Sequence, residues 1–142
     1  MLLFFVNVDK FACCTLGSSI EIGCDFGILV DSVDAKTTLG IDKSEESIQI
    51  AKERYPDQRF LLKDVFEDDL LEIFNPKESS ANSSLVVSID INGNRELPAV
   101  LNCIQVVLNA WSPRLILVKS RALHAKMTAS LHSDEHKTDV TP

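Results

Sequence analysis

With 142 residues the chain has room for one domain. Apolar residues make up 45% and charged residues 25%, enough for a packed core and typical of a folded globular domain. The net charge of −7 gains nothing from counterion release on phosphate backbones, which argues against nucleic acid as a partner.

The opening "MLLFFVNV" meets a charge at Asp9, far short of the roughly 20 apolar residues of a membrane span. It also lacks the basic start and small-residue cleavage site of a secretory signal. Residues 1–17 therefore read as an extension contributing a buried strand or packed segment, and a soluble, cytoplasmic protein with no membrane partner is expected. "SSIEIG" (18–23) reads as a strand and "ILVDSVDA" (28–35) as a short helix. "TTLGI" (37–41) is a second strand ending at Asp42. Ser44 is placed to cap a helix whose first turn holds Glu45 and Glu46, where the dipole favours anions; Pro56 stops it near Tyr55.

"RFLLKDV" (59–65) reads as a third strand and "FEDDLLEIF" (66–74) as a short helix. "NPKESSANSS" (75–84) is a loop, and "LVVSID" (85–90) suits a central strand covered on both faces. Leu97, Val100, Leu101, Ile104, Leu108 and Trp111 recur at helical spacing, with Pro98 in the first turn. "LILVKS" (115–120) is a fifth strand, Leu123, Met127 and Leu131 mark a last helix, and residues 132–142 read as a polar tail. Strands alternating with helices predict an α/β, doubly wound, mostly parallel Rossmann-like sheet of about five strands with helices on both faces. In such a sheet the ligand lies at the carboxyl ends of the strands, by the switch point.

The stretch "IEIGCDFGILV" (20–30) is a glycine turn with an aspartate at its centre. A dinucleotide would set its pyrophosphate there, and Asp25 would repel it. The dinucleotide spacing also fails, because the glycines it needs at 25 and 28 are Asp25 and Ile28. A nicotinamide or flavin oxidoreductase is thereby disfavoured. A cationic ligand without phosphate, such as S-adenosylmethionine, tolerates an acidic turn.

At these residues the sequence resembles the class I S-adenosylmethionine-dependent methyltransferase family. The resemblance is carried by "EIGCDFG" (21–27), "LGIDKSEESIQIAKERYP" (39–56) and "FLLKDV" (60–65), with the fourth and fifth strands in order. It covers residues 18–131, and Asp42 follows Glu21 by 21 positions. The resemblance implies methyl transfer from S-adenosylmethionine to an unidentified acceptor. It implies that Glu21, Gly23, Cys24, Asp25 and Gly27 line the methionine part, that Asp42, followed by Lys43, accepts the ribose hydroxyls, and that Asp64 and Val65 hold adenine. Asp90 would face the methyl group, a weak candidate for catalysis, with Asn92, Asn94 and Arg95 near the acceptor.

Two departures stand out. Asp25 replaces the family's middle glycine, although aspartate tolerates a left-handed backbone. The family's sheet has seven strands, and nothing between 121 and 142 reads as the final hairpin. The edge of the fifth strand is then open unless a protein partner or the N-terminal extension covers it. Both departures favour the alternative of a non-catalytic module that binds a partner or the cofactor alone.

Other groups read more plainly. "DINGNRE" (90–96) fails as a calcium loop, because its sixth and twelfth positions are Arg95 and Leu101; an asparagine-glycine turn is expected. Cys13, Cys14, Cys24 and Cys103 form no CxxC pair and read as buried thiols. His132 and His136 lie in the polar tail, so no metal site is expected. Lys119, Ser120 and Arg121 could bind an anion but more simply open a solvated helix.

Overall fold

Short runs rich in Ile, Val and Leu build the strands of this chain, and the residues between them cap helices. A computed structural model describes residues 3–4, 18–32, 38–74, 85–91 and 96–135. The strands are β1 (Leu3–Phe4), β2 (Ser18–Ile22), β3 (Thr38–Asp42), β4 (Arg59–Leu62), β5 (Leu85–Ile89) and β6 (Leu115–Val118). The helices are α1 (Ile28–Asp31), α2 (Glu45–Arg54), α3 (Leu70–Ile73), α4 (Leu97–Trp111) and α5 (Arg121–Glu135).

The sheet order is β1-β6-β5-β2-β3-β4, and every pairing is parallel. From β2 the chain steps outward to β3 and β4, then crosses back to β5 on the other side of β2. The order therefore reverses between β2 and β5, which opens a crevice beyond their carboxyl ends. The five expected strands are present, and a two-residue sixth joins them. Leu3 and Phe4 pair with Ile116 and Leu117, so the chain's own N-terminal segment covers part of the edge expected to be open.

Alternation along β2 sorts its side chains. Ile20 and Ile22 enter the main core with Leu39, Ile41, Val87, Ile89, Ile116 and Val118, beneath Val100, Cys103, Ile104, Val107 and Trp111 of α4. Leu70 of α3 and Leu123 of α5 belong to the same cluster. Ser19 and Glu21 face the other side, where Ser19 shares a 2.9 Å hydroxyl hydrogen bond with Thr38. There Val30 of α1, Ile48 and Ala51 of α2, Cys24 and Phe60 form a second, smaller core. Helices thus cover both faces.

Several boundaries differ from the sequence reading: the helix expected from 28 to 35 ends at Asp31, and the strand expected over 115–120 ends at Val118. The predicted strand 59–65 ends at Leu62, and the helix expected over 66–74 shrinks to Leu70–Ile73. Acids at 64, 68 and 69 draw backbone amides onto their side chains: Asp64 accepts from Phe66, Asp68 from Asp64, and Asp69 from Leu71. Such local bonds compete with both ladder and helix. The last helix runs on to Glu135, past the expected start of the tail. Cys24 and Cys103 are buried free thiols, as expected; Cys13, Cys14 and the expected loop 75–84 lie outside the described residues.

Candidate functional site

The carboxyl ends of β2, β3 and β5 are tied by backbone bonds that run past the strands. Gly23 and Cys24 both donate to the Ile41 carbonyl, at 2.8 and 3.1 Å, and Asp90 donates to that of Ile22 at 2.8 Å. Gly23 has φ +78°, and an added Cβ would land on the Asp90 carbonyl. Only a glycine lets β2 turn this close to β5. Asp25 follows in the left-handed region at φ 45°, where its short polar side chain is tolerated.

The Asp42 carboxylate holds this turn. One oxygen accepts the Asp25 amide at 3.0 Å, and the other accepts the Ser44 amide at 2.9 Å. Each oxygen keeps a second lone pair for another donor. Asp25 in turn accepts the Ser47 hydroxyl at 3.4 Å, which draws its carboxylate toward the start of α2. Ser47 was not singled out in the sequence; its only signal is its place three residues beyond the cap Ser44.

Beyond β4, Asp64 holds Phe66 at 3.0 Å and lies 3.6 Å from the Lys43 ammonium. Asp68, one of several acids in that run, accepts the Asp64 amide at 2.7 Å and Lys63 at 2.8 Å. The Lys63 hydrogen bond lowers the Asp68 carboxyl below its usual range and raises the Lys63 ammonium. At the end of β5, Asp90 accepts Lys119 at 2.7 Å.

Glu21 is the exception among these acids. It is 7% exposed, and its Oε2 has no hydrogen-bond partner. Burial, reinforced by the nearby Asp90 charge, pushes its carboxyl up to about 8, and the Val30 amide only partly offsets this. Burial also raises the Cys24 thiol, with Glu21 adding to the effect, which disfavours the thiolate form.

Two cavities meet at these strand ends. One, about 320 Å³, lies beside Glu21, Cys24 and α1 and has mostly apolar walls. The other, about 460 Å³, is lined by Asp42, Lys43, Asp64, Val65 and Phe66 among others. Gly23, Asp25, Asp90 and Lys119 line both. Nine of the ten residues expected at a cofactor therefore border the two cavities. The tenth, Gly27, does not: at φ +79° it lies under Phe60, whose ring tip would stand 2.6 Å from an added Cβ. Its place is structural. Asn92, Asn94 and Arg95 lie outside the described residues.

The carboxyl groups of Glu21, Asp25, Asp42, Asp64 and Asp90 and the ammonium groups of Lys43, Lys63 and Lys119 line the two cavities. Among the described residues, no three His, Cys, Asp or Glu side chains gather as a metal cage, and no helix is long and apolar enough to cross a membrane.

No protein-family model matches the sequence, and no curated protein matches it. Among solved structures, the chain is similar to a TehB-like SAM-dependent methyltransferase from Corynebacterium glutamicum. The TM-score is 0.52 at 18% identity, over 73% of this chain and 55% of that one. A Thermoplasma acidophilum protein, 1320, gives a TM-score of 0.49 at 16% identity, over 82% of this chain and 57% of its own. The chain thus spans little more than half the length of either. Its α/β, Rossmann-like parallel sheet is a fold it shares with a solved S-adenosylmethionine-dependent methyltransferase.

Proposed function

We propose that the chain binds S-adenosylmethionine and transfers its methyl group to an acceptor held near Asp90. The observation that carries this reading is Glu21: a buried carboxyl group with an unpartnered oxygen, in a residue that lines an apolar cavity next to a turn whose Asp25 disfavours a phosphate there. An aliphatic ammonium is the group that would satisfy it. The cofactor, when bound, supplies an activated methyl group.

The chain's own residues divide the work of binding. Asp42, already fixed by two backbone amides, would accept the ribose hydroxyls on its remaining lone pairs. Asp64, oriented by Lys43 and the Phe66 amide, would accept the adenine amino group, with Val65 against the ring. Gly23, Cys24 and Glu21 would receive the methionine part, and Asp25 would add negative charge at the rim. Rate enhancement would come from holding donor and acceptor in line. Arg95, Asn92 and Asn94 remain the proposed acceptor residues.

The ion pair that engages Asp90 favours one alternative, a module that binds the cofactor without transferring its methyl group. Calorimetry with S-adenosylmethionine tests the binding: micromolar affinity lost in Asp42→Ala supports it, and silence at millimolar ligand ends it. Incubation with radiolabelled cofactor and a cell extract then separates the alternatives. Label transferred to extract components favours the enzyme, and binding without transfer favours the module.

A further inference from the structure

Glu21 stands in the middle of a parallel sheet, level with Gly40 of β3 and Ser88 of β5. Neither neighbour offers it a charge. The groups that face it come from every adjoining element. β3 ends in Asp42 and β5 runs out to Asp90, both of its own sign. The turn brings the Cys24 thiol and, further off, Asp25. α1 brings only the Val30 amide, since Asp31 is exposed. Past the end of β6 comes Lys119, but its ammonium is bound to Asp90 at 2.7 Å and its side chain is 63% exposed. Among the described residues no cation is committed to Glu21; its Oε2 is buried without a hydrogen-bond partner, and the residue lines the cavity.

We propose that Glu21 is a proton-exchanging recognition residue: neutral in the free protein, it ionises when a ligand's aliphatic ammonium enters the cavity, and its proton passes to solvent. The inference rests on the proposed S-adenosylmethionine site and goes beyond it, because it assigns the protonation states. The ligand's ammonium keeps its own proton throughout; the only bond broken is the O–H of Glu21. A buried neutral acid costs little, whereas a buried carboxylate among Asp42 and Asp90 costs much until a cation arrives. Its carboxyl, raised to about 8, lies in the range this exchange requires. Glu21 then selects a ligand that carries an amine over one that shares its nucleoside but lacks the amine.

Titration calorimetry at neutral pH in phosphate and in Tris, which differ in ionisation enthalpy, reads the proton count directly. Two ligands are compared: S-adenosylhomocysteine, which carries the ammonium, and methylthioadenosine, which does not. Wild type is expected to release about one proton per S-adenosylhomocysteine bound and none with methylthioadenosine. Glu21→Gln is expected to abolish the release and weaken S-adenosylhomocysteine about tenfold or more, leaving methylthioadenosine within about twofold. Wild type binding S-adenosylhomocysteine with no proton release overturns the inference and leaves the cofactor site standing. Binding of neither ligand overturns both. If Glu21→Gln does not fold, the two-ligand comparison on wild type still decides.

Discussion

Gly23, Asp42 and Glu21 each answer to a different physical demand. Gly23→Ala would force a methyl into the Asp90 carbonyl at a left-handed φ, and a loss of at least about 2 kcal/mol is expected in urea unfolding. Asp42 accepts one amide on each oxygen, and Asp42→Asn would turn one acceptor into a donor facing a donor. S-Adenosylmethionine affinity is expected to fall about tenfold or more by calorimetry, in line with about 1.5–3 kcal/mol for a hydrogen bond to a charged group. Glu21 sets a pH dependence. Its carboxyl rises from 4.5 to about 8 on folding, so between those values the unfolded chain is ionised and the folded one is not. Unfolding then releases a proton, and this group's contribution to stability is full below the lower value and is lost as pH rises to the upper one. Relative to Glu21→Gln, wild type should lose stability with a slope approaching about 1.4 kcal/mol per pH unit between about pH 5 and 8. Urea midpoints for both proteins across that window measure it. At this scale the sequence disclosed which acids sit at strand ends, because the alternation of apolar runs locates those ends. It did not disclose that Asp42 would grip the Asp25 amide, a contact across 17 positions that only the finished turn creates.

The helices follow local chemistry where that chemistry is undivided. α2 begins where Ser44 accepts the Ser47 amide at 3.2 Å and ends where Pro56 follows Tyr55, both visible in the sequence. Ser44→Ala should cost about 1 kcal/mol in thermal unfolding, the ordinary worth of such a cap. α4 is equally plain from its apolar stripe, but the anchor at its end is not. The Trp111 indole donates to the Leu70 carbonyl at 3.0 Å, across 41 positions, and meets the Phe74 ring edge-on with centroids 6.3 Å apart. Trp111→Phe removes that donor and leaves a void under α3; a loss of about 2–3 kcal/mol is expected by chemical denaturation. The stretch 63–69 was misread because apolar Phe66, Leu70 and Phe74 keep helical spacing while the intervening acids bind the backbone. Periodicity reports which side chains can share a face. It does not report which side chains will outbid the helix for its amides.

Across the whole molecule, the doubly wound order was legible because strands and helices alternate at regular intervals, and the switch point follows from that alternation. The partner of β6 was legible in part, since the apolar N-terminal extension was one of the two covers expected for that edge. Which of its residues would pair was not legible: Leu3 and Phe4 lie beside Ile116 and Leu117, and among the described residues no other pairing covers that edge. Deleting residues 1–4 should bare the edge and promote self-association, seen as a concentration-dependent rise in mass by light scattering, while the net charge of −7 slows but does not prevent it. The crossing of Gly23 over Asp90 has a larger reach. Where one peptide nests in the hollow left by a missing side chain, the gap between β2 and β5 cannot widen or slip without unmaking the turn. The two cavities share this seam, so changes at the rim of either leave the spacing of β2 and β5 under the control of a single hydrogen atom on Gly23.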